Sequence, residues 1–215
     1  MSGYLVETST HRVGSGDFQV RALLDRQQFD DPDGRAEALG ISSAQWSLFG
    51  VLWPSGMALA EEMSRFPIAG KRILEIGCGL GLASLVLQRR GADITASDHH
   101  PLAEAFLAHN AALNGLDPVA FRAVAWAGPN PDLGAFDLVI GSDVLYERGH
   151  AVLLSGFLSR HAAAASEVML TDPGRANRGR FRVAMAAQGY TSTDRRVRSA
   201  DGAKPGHVLG FTRRG

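Results

Sequence analysis

The sequence predicts an α/β fold: a doubly wound, mostly parallel, Rossmann-like sheet of seven strands with a C-terminal antiparallel hairpin. Three observations lead to this prediction. Between residues 72 and 188, short apolar runs alternate with helical patterns, as in proteins built from β-α-β units. A glycine-rich turn joins the first apolar run to the first helix. Two strand-like runs near the C-terminal end flank a turn-rich segment, which is typical of a hairpin.

The first fifty residues do not follow this alternation. Residues 4–7 and 18–24 resemble short strands, the segment 30–34 (Asp-Asp-Pro-Asp-Gly) is a turn signal, and an aromatic-rich segment runs from Trp46 to Trp53. We assign residues 1–50 to an N-terminal appendage that packs over the side of the sheet carrying the ligand site. Residues 51–215 form the Rossmann-like domain. The composition is equally compatible with a simple lid that has no role in substrate binding.

The elements of the main domain follow from apolar runs and helix end signals. The strands are predicted at 72–76, 92–97, 119–124, 136–140, 167–171, 190–198 and 207–213, and the helices at 57–65, 82–87, 101–113, 149–161 and 176–188. The continuous apolar run 136–140 is typical of a strand buried on both faces. Asn114 and Gly115 end the helix before the third strand. The last two strands form the hairpin, and we expect one antiparallel strand at the edge of the sheet.

The composition narrows the class of protein. A chain of 215 residues with 45% hydrophobic content has enough apolar residues for the core of one globular domain. No stretch approaches the roughly 20 apolar residues of a membrane span, and no basic segment precedes an apolar run as in a signal peptide. The only cysteine, Cys78, excludes an internal disulfide and is expected to be a small buried side chain. We expect a cytoplasmic, monomeric protein with no membrane partner.

Charge is balanced overall but is distributed unevenly along the chain. Acidic residues predominate before residue 70, whereas nine arginines and Lys204 oppose only Asp194 and Asp201 from Arg175 onward. A basic end can bind nucleic acid, but this one has no interleaved aromatic residues on which bases could stack. We favour a solvated face, or a surface that docks an anionic protein, over nucleic acid.

The turn after the first strand predicts a nucleoside cofactor. Glu75 lies two residues before Gly77, and Gly79 and Gly81 follow, so the turn is bare enough for a ligand to approach the backbone. Asp98 ends the second strand, where a carboxylate can accept hydrogen bonds from ribose hydroxyls. An ordinary strand-turn-helix with glycines for tight packing is the alternative, but it does not require both acids.

The details of this turn favour S-adenosylmethionine over a dinucleotide. The third glycine comes one residue earlier than in the dinucleotide fingerprint, and Leu82 takes its position. A carboxylate such as Glu75 would repel a pyrophosphate at the helix N-terminus. S-adenosylmethionine has no phosphate and carries two cationic groups, so an acid near the turn is compatible with it. S-adenosylhomocysteine would be the product.

Glu-x-Gly-x-Gly-x-Gly followed by Asp98 resembles the first motifs of class I (seven-strand) methyltransferases. Three further segments resemble the family 16 methyltransferases, which mostly methylate lysine side chains of proteins: 52–56 (Leu-Trp-Pro-Ser-Gly), 124–126 (Val-Ala-Trp) and 137–146, which contains Asp143-Val-Leu-Tyr146. The resemblance covers about residues 46–173. The run 171–175 (Thr-Asp-Pro-Gly-Arg) resembles the branch that acts on the electron transfer flavoprotein β-subunit, whereas 52–55 is equally similar to other branches.

The resemblance implies a role for each site residue. Trp53 would border the methionine part of the cofactor, Gly77 and Gly79 would approach its ribose and carboxylate, and Asp98 would hold the ribose hydroxyls. Trp126 would flank the adenine, and Ser142 would lie where the chain leaves the strand beside the cofactor. Asp143 and Tyr146 would be the catalytic pair facing the methyl group and the incoming lysine. With Glu75, these residues form our predicted site.

Methyl transfer to an amine needs alignment and a partly dehydrated slot more than acid-base groups. The lysine must be neutral to attack, and a nearby carboxylate raises its pKa. We therefore assign Asp143 to orientation rather than deprotonation, and Tyr146 either to a wall of the slot or to accepting a hydrogen bond. Each candidate also has a structural alternative: Asp143 could cap the next loop, Tyr146 and Trp53 could be packed hydrophobes, and 172–174 could be a plain turn. His99 and His100 point apart without a third ligand nearby, so we predict no metal.

Three alternatives to a protein-lysine methyltransferase remain. The same fold accepts small-molecule amines and hydroxyls, so a small-molecule N- or O-methyltransferase is the nearest. A non-catalytic S-adenosylmethionine-binding scaffold is the second, whereas a scaffold that keeps the fold only to bind partners would have no need of the bare turn and Asp98. Nucleic-acid amino-methyltransferases resemble each other in an Asn/Asp-Pro-Pro-Tyr segment after the fourth strand, and here 142–146 lacks the prolines.

Overall fold

A computed structural model describes residues 4–28, 31–197 and 206–215. The strands are β1 (Val6–Val13), β2 (Gly16–Leu23), β3 (Arg72–Ile76), β4 (Asp93–Asp98), β5 (Ala120–Ala123), β6 (Phe136–Ser142), β7 (Ala162–Asp172), β8 (Thr191–Val197) and β9 (Gly206–Arg213). The helices are α1 (Arg35–Ala38), α2 (Ser43–Trp46), α3 (Pro54–Met63), α4 (Leu82–Arg89), α5 (Ala103–Leu113), α6 (His150–His161) and α7 (Arg178–Ala187).

The main sheet has seven strands in the order β5-β4-β3-β6-β7-β9-β8, which confirms the predicted fold class. Strands β3 to β7 pair in parallel, and β9 pairs antiparallel with both β7 and β8. Our expectation of an antiparallel edge strand was wrong, because the antiparallel strand β9 lies inside the sheet and β8 forms the edge. Burial explains this order: β9 carries the buried Val208, Leu209 and Phe211, whereas the side chains of β8 are largely exposed. The turn predicted between these strands lies outside the described residues.

Apolar side chains alternate between the two faces of the sheet. On β3, Ile73 packs in one core cluster and Leu74 in the other, and Leu138 and Val139 of β6 divide in the same way. One cluster also takes in side chains of α3, α4 and α5, and the other takes in side chains of α6 and α7. Helices therefore cover both faces, so strands with hydrophobic residues at successive positions are stable here.

The N-terminal hairpin of β1 and β2 lies against the helices and not over the ligand side, which corrects our expectation. Phe18 and Val20 are buried in the same cluster as α4 and α5. The Gln19 backbone exchanges hydrogen bonds of 2.9 and 2.7 Å with the side chain of Asn114, just after α5. The guanidinium of Arg89 lies 3.7 Å from the ring of Phe18. Among the described residues of the appendage, those that reach the ligand side lie between 39 and 50. The boundary at residue 50 stays a prediction.

Some predicted boundaries also needed correction. Helix α3 begins at Pro54 rather than 57, because proline is well suited to the first helical position. Strand β7 begins at Ala162 rather than 167: the alanines at 162–165 have high helix propensity, but pairing of Ala162 with Phe136 draws them into the sheet. Within the described residues, no helix has the length and apolar character needed to cross a membrane.

Candidate active site

A cavity of about 560 Å³ opens at the carboxyl ends of β3, β4 and β6, and its volume suits a ligand the size of a nucleoside cofactor. Open α/β sheets bind their ligands at this edge. The structure brings all nine predicted site residues together around this cavity: Trp53, Glu75, Gly77, Gly79, Asp98, Trp126, Ser142, Asp143 and Tyr146. Their individual roles stay predictions.

The turn between β3 and α4 depends on left-handed glycines. Gly77, Gly79 and Gly81 have φ values of 59°, 54° and 79°, a region that other residues adopt at a cost. A Cβ atom at Gly81 would lie 2.3 Å from Leu107 Cδ1, so the Leu107 side chain would have to move to admit a larger residue. A Cβ at Gly79 would have no neighbour within 4 Å, and Gly79 lines the cavity. The backbone at Gly79 is therefore open to a ligand, as the cofactor prediction requires.

Glu75 is buried at the inner end of the cavity, with 2% of its surface exposed. Its Oε2 accepts a hydrogen bond of 2.9 Å from the Ser84 backbone N–H and another from the Ser84 hydroxyl. Burial raises the pKa of Glu75 to about 7, although both bonds from Ser84 act in the opposite direction. Glu75 thus ties β3 to the first turn of α4, a structural function that sequence reasoning did not identify.

Asp98 holds the glycine turn in place from the end of β4. Its Oδ2 accepts a hydrogen bond of 2.8 Å from Gly79 N–H, and its Oδ1 accepts one of 2.8 Å from His100 N–H. Burial raises the pKa of this carboxyl group, while the backbone hydrogen bonds lower it. A carboxylate has about four lone-pair sites and the His99 backbone also acts on this one, so about one remains for a hydroxyl donor.

Two tryptophans form walls of the cavity. Trp53 precedes α3, and its indole N–H donates to the Leu48 carbonyl at 3.1 Å. Trp126 follows β5 and meets the ring of His150 edge to face at a centroid distance of 5.3 Å. Each indole is fixed by a neighbour, so both present preformed flat surfaces to the cavity.

Asp143 follows β6 with a left-handed backbone (φ 52°) and lines the cavity. Arg175, in the loop after β7, binds it through two parallel contacts, Nε to Oδ1 at 2.5 Å and Nη2 to Oδ2 at 2.9 Å. Tyr146 packs edge to face on His150 at 4.5 Å, and burial raises its pKa to about 12. Asp143 is therefore not an isolated acid but half of a bidentate ion pair.

Arg175 and Arg178 both pair with acidic side chains of the protein itself, while a docking role for the rest of the basic end stays a prediction. Arg178 lies 3.4 Å from Asp172 and 3.2 Å from Asp194. The Oδ1 of Asp172 accepts hydrogen bonds from the backbone N–H groups of Gly174 and Arg175, at 2.7 and 2.6 Å. The segment 172–174 is thus a side-chain-capped turn, and it sets the position of Arg175.

The sequence analysis considered three further residues, His99, His100 and Cys78. His100 stacks on Phe49 at 3.9 Å, and burial lowers its pKa to about 4. His99 Nε2 contacts the Leu39 carbonyl. Among the described residues, no group of three or more His, Cys, Asp or Glu could hold a metal ion. Cys78 is buried, and burial raises the pKa of its thiol well above the usual value.

Sequence reasoning missed two contributors to the cavity. His150 lies between Trp126 and Tyr146, and its Nδ1 contacts the Val144 carbonyl at 2.9 Å. It opens α6, and nothing in its local pattern indicates contacts with both aromatic residues. The second is the segment 39–45, ahead of the predicted aromatic segment, of which Leu39, Gly40, Ile41 and Gln45 line the cavity.

Comparisons with known proteins agree with this geometry. Residues 39–181 match the family described as lysine methyltransferase. The electron transfer flavoprotein β-subunit lysine methyltransferase of Mus musculus is 31% identical over 183 residues, which cover 81% of this chain and 69% of the relative. The histone-arginine methyltransferase METTL23 of Xenopus laevis is 26% identical, covering 66% of this chain and 61% of the relative. The solved structure of magnesium protoporphyrin IX methyltransferase from Synechocystis PCC 6803 with bound S-adenosylmethionine shares the fold at 18% identity and a TM-score of 0.59, covering 94% of this chain and 87% of that one.

Proposed function

The chain belongs to the lysine methyltransferase family, and on this basis we propose that it methylates the side-chain amine of a lysine in a protein substrate. It is an S-adenosylmethionine-dependent methyltransferase, as the glycine turn predicted. The observation that carries the proposal is the single cavity joining the bare turn at Gly79 to the pair Asp143 and Tyr146. Tyr146 is 39% exposed, so this end is accessible to a side chain from another protein.

The residues present fit the cofactor. Gly79 leaves space for a ligand against its backbone, Asp98 retains acceptor capacity for hydroxyls, and Trp53 and Trp126 offer flat apolar walls. Gly77 and Ser142 line the same region, and buried Glu75 supports the turn from below. When bound, S-adenosylmethionine would supply a methyl group carried on a cationic sulfur. As the new C–N bond forms, the C–S bond breaks and its electrons stay on the departing thioether sulfur.

The protein's own part is alignment and exclusion of water. The ring of Tyr146 provides apolar surface that dehydrates the acceptor amine, which favours its neutral form. The Asp143 carboxylate can accept an N–H of that amine and so direct the nitrogen lone pair into the cavity. The pKa of about 12 keeps the Tyr146 hydroxyl protonated at physiological pH, so it can act as a hydrogen-bond donor in the slot. The proton lost before attack goes to water.

We propose the electron transfer flavoprotein β-subunit of the same host as the first substrate to test. Support comes from the named activity of the Mus musculus relative and from the Thr-Asp-Pro-Gly-Arg run at 171–175. The cytoplasm remains our proposed compartment, supported by a buried free cysteine and the lack of a disulfide partner for it. We also propose that the protein acts as a monomer, without metal and without a nucleic-acid substrate.

The purified chain should be incubated with radiolabelled S-adenosylmethionine and either that subunit or a host lysate. We expect label in a protein band and methyl-lysine after acid hydrolysis. Asp143→Asn should lower turnover by at least about tenfold with little change in S-adenosylhomocysteine affinity, because an amide lacks the charge that orients the amine. Label confined to small molecules would favour a small-molecule N- or O-methyltransferase. Methyl-arginine would point to the activity named for METTL23, and cofactor binding without transfer would indicate a scaffold.

A further inference from the structure

The ion pair between Asp143 and Arg175 bears on a difficulty in the proposed chemistry. A carboxylate beside the acceptor amine would hold it as an ammonium, and an ammonium has no lone pair with which to attack. Asp143 is the acid at this end of the cavity, and its side chain is only 14% exposed. An unpaired carboxylate so poorly exposed would raise the pKa of a bound lysine at the very place where it must be neutral.

Arg175 meets Asp143 in the geometry that neutralises a carboxylate most effectively. The contacts of 2.5 and 2.9 Å form a bidentate fork, and the guanidinium carbon lies 5.9 Å from the ring centre of Tyr146. Hydrogen bonding to Asp143 raises the pKa of Arg175 still further, so the guanidinium is charged at all physiological pH values. The fork uses one lone pair on each oxygen, which leaves acceptor sites for the amine.

The loop that carries Arg175 is built to hold it there. Asp172, itself buried, caps the backbone N–H of Arg175 at 2.6 Å, and Arg178 approaches Asp172 from the next turn. Asn177 donates from the same loop to the carbonyls of Leu145 and Glu147, each at 2.9 Å. The loop after β7 is thereby fixed to the loop after β6, and the ion pair is preorganised.

We infer that Arg175 is a positioning residue that neutralises Asp143, so that Asp143 can orient the acceptor lysine without holding it in the charged form. The inference rests on the proposed function, since it concerns a lysine acceptor. The charged and titratable groups facing Asp143 are Arg175 and Asp172 from the β7 side and Tyr146 from its own loop, with Asp98 and Glu147 beyond Tyr146. Among these groups Arg175 is the cation in direct contact with the carboxylate.

The test is the pH profile of kcat, at saturating protein substrate and cofactor, in wild type and Arg175→Met, because kcat reports groups that titrate in the enzyme-substrate complex. The substitution removes the charge and keeps a long side chain. We expect the alkaline midpoint of the profile to rise by about one to three units, the size of shift that a nearby opposite charge produces. Activity at pH 7.5 should fall about tenfold per unit and should recover at higher pH.

Two controls separate this effect from a loss of structure. Arg175→Lys keeps a cation beside Asp143, so its midpoint should stay near that of wild type even if kcat falls. Arg180→Met, an exposed position on α7, should leave the profile unchanged. A purely structural role would lower activity equally at every pH. An unshifted midpoint in Arg175→Met, with S-adenosylhomocysteine affinity retained, would overturn the inference.

A second measurement does not depend on turnover. Binding of n-butylammonium to the S-adenosylhomocysteine complex at pH 7.5 should tighten about tenfold or more in Arg175→Met, because Asp143 then has no internal counterion. Adding Asp143→Asn should abolish the gain. If wild type labels no lysine but this gain appears, the proposed function fails, and only the neutralisation of Asp143 by Arg175 is supported. If labelling occurs but neither the gain nor the pH shift appears, the inference alone is wrong.

Discussion

Glu75 is a buried acid whose protonation is linked to folding. Its pKa is raised to about 7 in the folded protein from an ordinary value near 4.5. The folded state therefore binds a proton more tightly than the unfolded chain between these two values. The free energy of unfolding falls as pH rises through this window and levels off above about 7. The free energy of unfolding falls because, at high pH, the folded protein must hold a charged carboxylate away from water.

We therefore predict an effect of Glu75→Gln on the free energy of unfolding of the cofactor-free protein. The difference between the variant and wild type should favour the variant more at pH 8 than at pH 5. The relative gain should be of order 1–3 kcal/mol, since each unit corresponds to about 1.4 kcal/mol. Urea denaturation of both proteins at the two pH values measures it. Glu104→Gln, at an exposed position of α5, is the control. A difference between Glu75→Gln and wild type that does not change with pH would contradict the prediction.

Asp98 combines a structural task with its predicted task toward the cofactor. It accepts the N–H groups of Gly79 and His100, so its loss both frees the turn and removes an acceptor for ribose. Asp98→Ala should weaken S-adenosylhomocysteine binding by about 1–3 kcal/mol. Isothermal titration calorimetry measures this change. Asp117→Ala, an exposed acid after α5, should bind like wild type. Unchanged affinity in Asp98→Ala would remove Asp98 from the cofactor site.

At the scale of elements, we expect two glycines of the turn between β3 and α4 to have different functions, Gly81 in packing and Gly79 in ligand access. Gly81→Ala would place a methyl group 2.3 Å from Leu107 Cδ1 at a φ of 79°. It should therefore lower the free energy of unfolding by more than the backbone strain alone, which is about 1–2 kcal/mol. Gly79→Ala meets no atom within 4 Å, so its stability loss should equal that strain while its cofactor affinity falls.

Gly70 provides the matched control for this turn. It also has a left-handed backbone (φ 70°) and open surroundings, but it does not line the cavity. Gly70→Ala should match Gly79→Ala in thermal stability and match wild type in S-adenosylhomocysteine affinity. Equal affinities for the Gly79 and Gly70 variants would show that the bare turn serves folding only.

At the scale of the whole molecule, the N-terminal hairpin shares its core with the main domain. Phe18 is 3% exposed and lies beneath the guanidinium of Arg89. Phe18→Ala should lower the free energy of unfolding by about 3–5 kcal/mol, whereas Leu24→Ala, at a 57% exposed position, should change it by less than about 0.5 kcal/mol. Tryptophan fluorescence and far-ultraviolet circular dichroism should report one shared transition. Two separate transitions would show that the hairpin folds independently.

The sequence alone was sufficient for the elements whose signals are local. The run 136–140, the glycine turn and the Asn114-Gly115 helix end each contain their own cause, namely apolar content, backbone freedom and capping. It was insufficient at 162–166, where alanines favour a helix but pairing to β6 makes a strand. The sequence also did not predict that β9 lies inside the sheet, because strand order depends on which strand has more apolar side-chain surface to bury.

The nine residues predicted from the sequence line one cavity, because most of them lie at or after strand ends and the carboxyl ends of parallel strands meet at one edge of a sheet. Which partner each side chain finds was decided only by the tertiary structure. Ser84 bonds to Glu75, and Arg175 reaches Asp143 across 32 positions of sequence. The sequence shows which residues carry a charge but not which partner neutralises each of them, because electrostatic interactions depend on distance in space and on burial. The cofactor class was therefore determined by the sequence, whereas the electrostatic surroundings of Asp143 were determined by the fold.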